Sequence, residues 1–249
     1  LTDKLTVKTS IKYSETREKG NVVQGTSPMS PNETIRNFAP DVDVSDYLGD
    51  FGNGTTDGEN ELSPATSIYS TNPWFAKFNN IISVNKDRLL ASTNIQYDIT
   101  DFLYIRGQAG FDRGTNHFNN TKIGGQPLFQ PGVAFAPKGN ILEQTQTIKQ
   151  HDADLFIGTS GINITNDFSF NGFIGTGTFA FESEAVGLEG QNTVIPGLYT
   201  VLNTENQGSL YLYGQKQINS VYSNVEFDYQ NKIFLTVSAR NDWFSTLSA

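Results

Sequence analysis

The chain holds 249 residues, 37% of them hydrophobic, with a net charge of −9 and no cysteine. No run of 18 apolar residues occurs, which excludes a transmembrane helix; without thiols, disulfides and thiolate metal sites are excluded too. Membrane strands remain open, because each needs only about 9–11 alternating residues. Phe (18) and Tyr (10) are abundant beside a modest aliphatic content, a balance that suits strands apolar on one face.

Leu5, Val7, Thr9, Ile11 and Tyr13 alternate with Thr6, Lys8, Ser10 and Lys12, the period of a half-buried strand. From Gly20 to about Asn85 no period is sustained, and a structureless connection of that length is improbable inside a compact soluble domain. Within it, residues 37–66 carry seven acids (Asp41, Asp43, Asp46, Asp50, Asp57, Glu59, Glu61) and no Lys or Arg. Elsewhere acids and bases nearly balance, so binding to nucleic acid through phosphate contacts is not expected.

Three hairpins follow, each a long alternating strand, a tight polar turn and a second strand. Their turns are expected at 98–101, 164–167 and 229–232, with starts 66 and 65 residues apart. Around the first, Leu89, Ala91, Thr93, Ile95 and Tyr97 oppose Ser92, Asn94, Gln96 and Asp98. Around the third, Val225, Phe227, Leu235 and Val237 oppose Glu226, Asp228, Thr236 and Arg240. In the second, Phe168, Phe170 and Ile174 take one parity while Phe173, Phe179 and Phe181 take the other. A bulge or twist near Gly175-Thr176-Gly177 is the expected cause.

Short turns on one side and long loops (about 19–85, 119–147 and 186–212) on the other are the pattern of an outer-membrane barrel wall. Aromatics bracket the turns (Tyr97, Phe102, Phe168, Tyr229, Phe234) and return about ten residues away (Phe111, Phe179, Phe181, Trp243). At a tilt near 45° that interval rises roughly 25 Å, the height of a lipid-facing band. The fold class expected is all-β: about seven long antiparallel strands of a transmembrane β-barrel over 1–249. Aromatics filling a soluble sandwich would instead predict shorter strands and turns at both ends. Both ends of the chain read as barrel strand, so a larger protein is expected.

The run Tyr222–Trp243 resembles a barrel hairpin of the SusC/RagA family, TonB-dependent outer-membrane transporters of Bacteroidetes. Asn72-Pro73-Trp74-Phe75, followed by Lys86-Asp87-Arg88-Leu89-Leu90-Ala91, is similar to that family's Asn-Pro-aromatic segment leading into its Asp-Arg-Leu strand. Tyr97-Asp98-Ile99-Thr100-Asp101-Phe102-Leu103 resembles the periplasmic turn that follows. The matches span about 72–113 and 220–247. The resemblance implies a central piece of a barrel of about 22 strands. It further implies a Gram-negative outer-membrane location, capture of glycans or peptides with a SusD-like surface lipoprotein, and a plug rearranged by TonB. No TonB box, plug or carboxypeptidase-like extension is visible in these residues.

No catalytic constellation, cofactor motif or metal-ligand spacing is found, and an enzyme is not expected. His117 and His151 are the two histidines, with solvent exposure the default reading. Gly124-Gly125 and Gly175-Thr176-Gly177 lack the strand-to-helix setting of a phosphate loop. The acidic loop could hold a hard cation through oxygen ligands, though a solvated outer loop is the plainer reading. Tyr69, Trp74, Phe75 and Phe78 are candidates for stacking against a sugar or packing against a peptide, with a loop-core role as the alternative. Arg106, Asp112, Glu226, Asp228 and Arg240 are expected to face the lumen, where they line a wet channel or pair structurally. A secreted β-sandwich adhesin for carbohydrate and a passive porin stand as alternative functions.

Overall fold

The computed structural model describes residues 3–20, 30–58, 61–62, 72–123, 139–195 and 197–245. Its strands are β1 (Leu5–Lys19), β2 (Asn80–Asp98), β3 (Leu103–Ile123), β4 (Gly139–Asn163), β5 (Phe168–Thr193), β6 (Thr204–Tyr229) and β7 (Ile233–Phe244). Two short helices, α1 (Pro31–Asn37) and α2 (Pro73–Asn79), stand between β1 and β2, with a 3-10 turn at Val44–Leu48. All seven strands form one antiparallel sheet in chain order, open along β1 and β7 among the described residues. Since successive strands reverse direction, the three tight turns share one end of the sheet and the long connections share the other.

Among the described residues the sheet has no second layer. Among the described residues the largest fully buried apolar side chains are Phe75, in α2, and Ile141, at the start of β4. A sandwich needs a second sheet packed on the first, so that alternative is not supported. Instead the register sorts side chains onto two unlike faces. One row across the strands reads Leu5, Tyr97, Ile105, Ile157, Ile174, Ser223, Ala239. The neighbouring row, on the opposite face, reads Thr6, Gln96, Arg106, Phe156, Gly175, Tyr222, Arg240. On the apolar face Leu155, Leu235 and Val237 are each more than half exposed. Apolar area left out in this way by so many strands marks a surface made to meet something other than water.

The strands outrun the alternation seen in sequence. β3 continues to Ile123, β4 starts at Gly139, β5 reaches Thr193 and β6 starts at Thr204, so strand takes over much of the predicted loops 119–147 and 186–212. At about 3.4 Å per residue, the 26-residue β5 and β6 are roughly 85–90 Å long, far more than a bilayer band requires. The apolar face is broken partway up, with Val186 and Leu188 exposed on it above the break. Above the row holding Phe111, His151 and Ala180 comes a charged row of Arg113, Lys149 and Glu182, with Lys149 Nζ 2.8 Å from Glu182 Oε1.

The bulge lies elsewhere than the sequence suggested. β5 pairs without interruption through Gly175–Gly177, and the irregularity falls in β4 between Thr159 and Ile162, where Gly161 takes φ +66°. Phe173, Phe179 and Phe181 therefore sit on the polar face in regular register. Glycines make room for such rings. A Cβ at Gly175 would stand 2.7 Å from the Phe156 Cβ, and one at Gly158 would stand 2.6 Å from the Tyr104 hydroxyl. The third turn is closed by Gln230 and Asn231, both at φ +53°, the left-handed pair that a two-residue hairpin uses.

Gly175→Val should cost about 1–3 kcal/mol through overpacking. Gly214→Val meets nothing within 4 Å and serves as the control. Urea titration of each variant in detergent checks the difference in midpoint.

Candidate functional site

Two regions of the fold gather the candidate residues: the folded connection between β1 and β2, and the polar face of the sheet. In the first, Asn72 and Pro73 start α2 as sequence chemistry predicts. The Asn72 Oδ1 accepts from the backbone N–H of Trp74 at 2.9 Å, and Pro73 takes the first helical position, where no N–H is needed. The Asn72 amide then donates to the carbonyls of Tyr47 and Leu62, each at 2.7 Å, and more distantly to Gly54 at 3.4 Å. One fully buried side chain thus fastens three separate backbone segments.

Around that hub the predicted aromatics part company. Phe75 is fully buried and offers no face to a ligand, which corrects its reading as a stacking residue. It is buried because Gly54, at φ +76°, brings its backbone against the Phe75 amide; a Cβ there would lie 2.4 Å from that nitrogen. Trp74 is half-buried and donates its indole N–H to the Val44 carbonyl at 2.8 Å. Phe78 is exposed and stacks on Trp74 at 6.2 Å, with the Lys77 ammonium over both rings. Tyr69 falls outside the described residues. Among the described candidates, the Trp74–Phe78 pair keeps an accessible aromatic surface.

The acidic stretch supplies no grouped metal ligands among the described residues. Asp43 instead caps the 3-10 turn, and its bonds from the Ser45 hydroxyl and N–H hold its carboxyl below the usual range. Glu61 behaves differently. It is 7% exposed, accepts from the Asn72 backbone N–H, and has its second oxygen unpartnered; burial pushes its pKa up to about 7.

On the polar face, the register brings Arg106, Asp112, Glu226, Asp228 and Arg240 together on one side of the sheet. Three of the five are satisfied within the sheet. Asp112 takes both nitrogens of a bidentate Arg88, with Nε–Oδ1 at 2.9 Å. Arg240 bonds Asp242 and the Ser220 hydroxyl, each at 2.8 Å, while Asp228 accepts the Asn231 N–H at 2.8 Å and so pins the third turn. Glu226 has no bonded partner among the described residues. Arg106 bonds the neutral Gln96 and meets no carboxylate among them.

Arg106 does rest on an aromatic shelf that the sequence did not disclose. Its guanidinium lies 5.4 Å from the ring centres of both Tyr104 and Phe156. Ring contacts continue from Phe156 to Phe173 at 5.5 Å and from Phe173 to Tyr222 at 6.0 Å, where Arg240 stacks at 5.5 Å. Beside the shelf runs an open trough of about 790 Å³, whose lining includes Lys8, Lys12, Arg88, Gln108, Asp112 and Asp152. Polar side chains of both signs line it. It holds no nucleophile–base pair.

Compared with solved structures, the chain resembles the RagAB peptide transporter with a TM-score of 0.70 at 15% identity, covering 100% of this chain and 27% of that one. The open-open state of the RagAB peptide importer gives 0.66 at 14% identity, covering 98% and 26%. The closed-closed state gives 0.66 at 15%, again covering 98% and 26%. The fold is shared from end to end. This chain spans about a quarter of the length of the structures it matches. No protein-family model and no curated protein matches it.

Asn72→Ala would remove a helix cap worth about 0.5–2 kcal/mol and leave the Tyr47 and Leu62 carbonyls without a donor, at about 1–3 kcal/mol each. Residues 44–62 should then be cut by protease at least about tenfold faster, while the β-sheet circular dichroism signal is unchanged. Limited proteolysis with peptide mapping checks both.

Proposed function

We propose that this chain forms part of the barrel wall of an outer-membrane importer of the SusC/RagA kind. The observation that carries the reading is the single sheet with one apolar and one polar face and no packed layer on either side. From the turns to the Phe111 row β3 advances about nine residues, a rise of roughly 20–25 Å at a barrel's tilt, which matches a lipid-facing band. The charged row of Arg113, Lys149 and Glu182 then marks where that face leaves lipid for water. On this reading the turns at 98–101, 164–167 and 229–232 are periplasmic. The long connections, including the Asn72 hub, stand outside the cell. Arg106, Asp112, Glu226, Asp228 and Arg240 line the lumen.

The likeness to a peptide transporter favours peptides over glycans as the substrate class. A SusD-like lipoprotein lid, met by the long connections, and energy supplied by TonB complete the proposal. Uptake of labelled oligopeptides by cells carrying the gene, with and without TonB, tests it. Uptake that needs both the gene and TonB supports it, and TonB-independent uptake favours the passive porin. No gene-dependent peptide uptake, together with gene-dependent glycan uptake, would reassign the substrate.

The orientation of the faces has its own test. Leu235→Arg, placed in lipid, should destabilise the barrel by about 2–4 kcal/mol, and Thr236→Arg, placed in a wet lumen, by much less. Urea unfolding in lipid vesicles measures both; equal losses would remove the assignment of the two faces.

A further inference from the structure

Among the described residues of the folded connection, Glu61 is the buried acid for which neither a lumen nor a metal accounts. Its surroundings are described by few contacts. Residue 61 pairs with Thr55 in an isolated β-bridge, and the N–H of Leu62 donates to the Gly54 carbonyl at 2.9 Å. The Glu61 side chain reaches the N–H of Asn72, the residue whose amide also ties down Tyr47, Gly54 and Leu62. Its other oxygen, Oε2, is buried and bonded to nothing. As a neutral acid Glu61 fills this place at modest cost. As a carboxylate it holds a buried negative charge against a single donor, which is strongly disfavoured.

We propose that the buried Glu61 carboxyl is a proton-controlled latch, which keeps the folded connection closed while it is protonated and releases it when it ionises. Asp46 on the 3-10 turn, Asp43 before it, Asp50 and Asp57 on the turn that follows, Arg36 of α1 and Lys77 of α2 are the charged groups of the packed elements. None of them perturbs Glu61: burial raises its pKa and the Asn72 N–H partly offsets that. Release is local but not isolated. The Asn79 amide bonds the Asn53 carbonyl at 2.9 Å, and β2 begins at the next residue, so opening the connection frees the rim of the sheet.

The direction in pH follows from the raised value. An acid that titrates at an ordinary 4.5 when the connection is open and at about 7 when it is closed favours closure fully below pH 4.5. That advantage is lost as pH rises from 4.5 through 7. At tenfold per pKa unit, the closing equilibrium should weaken on the order of ten- to thirty-fold between pH 5.5 and pH 8. The latch stands on the packing around Glu61 and does not require the transporter reading.

Hydrogen–deuterium exchange on the full-length protein in detergent, at matched intrinsic exchange rates from pH 5.5 to 8, tests it. Protection of residues 44–58 and 72–79 should fall as pH rises toward 7 and level off above it, while that of β3 and β4 stays constant. Glu61→Gln cannot ionise and should keep the connection protected at pH 8. The same fall in Glu61→Gln would overturn the proposal, as would flat protection in the unsubstituted protein. If Glu61→Gln is unprotected at every pH, the unsubstituted protein decides: a fall that levels off near pH 7 supports the latch, and its absence rejects it.

Discussion

Everything in this structure depends on register. A strand exposes alternate side chains to opposite faces, so a slip of one residue exchanges the two faces completely. Here the ladder runs unbroken across seven strands at the level of Arg106, and that continuity puts Arg106, Tyr222 and Arg240 on one side and Ile105, Ile157 and Ile174 on the other. The single irregularity in β4, at Ser160 and Gly161, comes close to the second turn and leaves the rows above it aligned. Charged pairs reinforce the same alignment. Arg88 and Asp112 can meet only when β2 and β3 are paired as observed, because both must lie on one face and in adjacent rows.

The two faces were legible in sequence because they obey a period of two, and β1 and the first and third hairpins show it cleanly. Strand length was not legible. Midway along β5 the face of Ile174 carries Glu182 and Glu184 before Val186 and Leu188, so the alternation that marks a strand is interrupted although the hydrogen-bonded ladder continues. The second hairpin misled for a different reason. Its rings at Phe173, Phe179 and Phe181 occupy the polar face, where Arg106 and Arg240 stack on neighbouring rings, so an aromatic residue is no guide to which face is apolar. Glycine spacing was the available signal, since Gly158 and Gly175 sit opposite the rings they accommodate.

The folded connection was read as loop because its order rests on few and distant contacts. Asn72-Pro73 announces the start of a helix, but nothing local tells that the same asparagine holds carbonyls at Tyr47, Gly54 and Leu62. Phe75 looked available for a ligand for the same reason: its burial is decided by the approach of Gly54, which lies far back along the chain. Glu61 was visible only as one acid among seven. What sets it apart from Asp43, which has its bonds from Ser45 and remains in water, is desolvation.

The glycines under the aromatic shelf have a consequence for dimension. The rings of Tyr104 and Tyr222 lie along the sheet where Gly158 and Gly175 leave space, rather than standing upright from it. In a closed barrel, side chains laid flat thin the wall and widen the bore at that height without adding a strand. Aperture is then set by which positions lack a Cβ as well as by strand number. A methyl group added at one of these glycines would narrow the passage as surely as a bulky residue projecting into it.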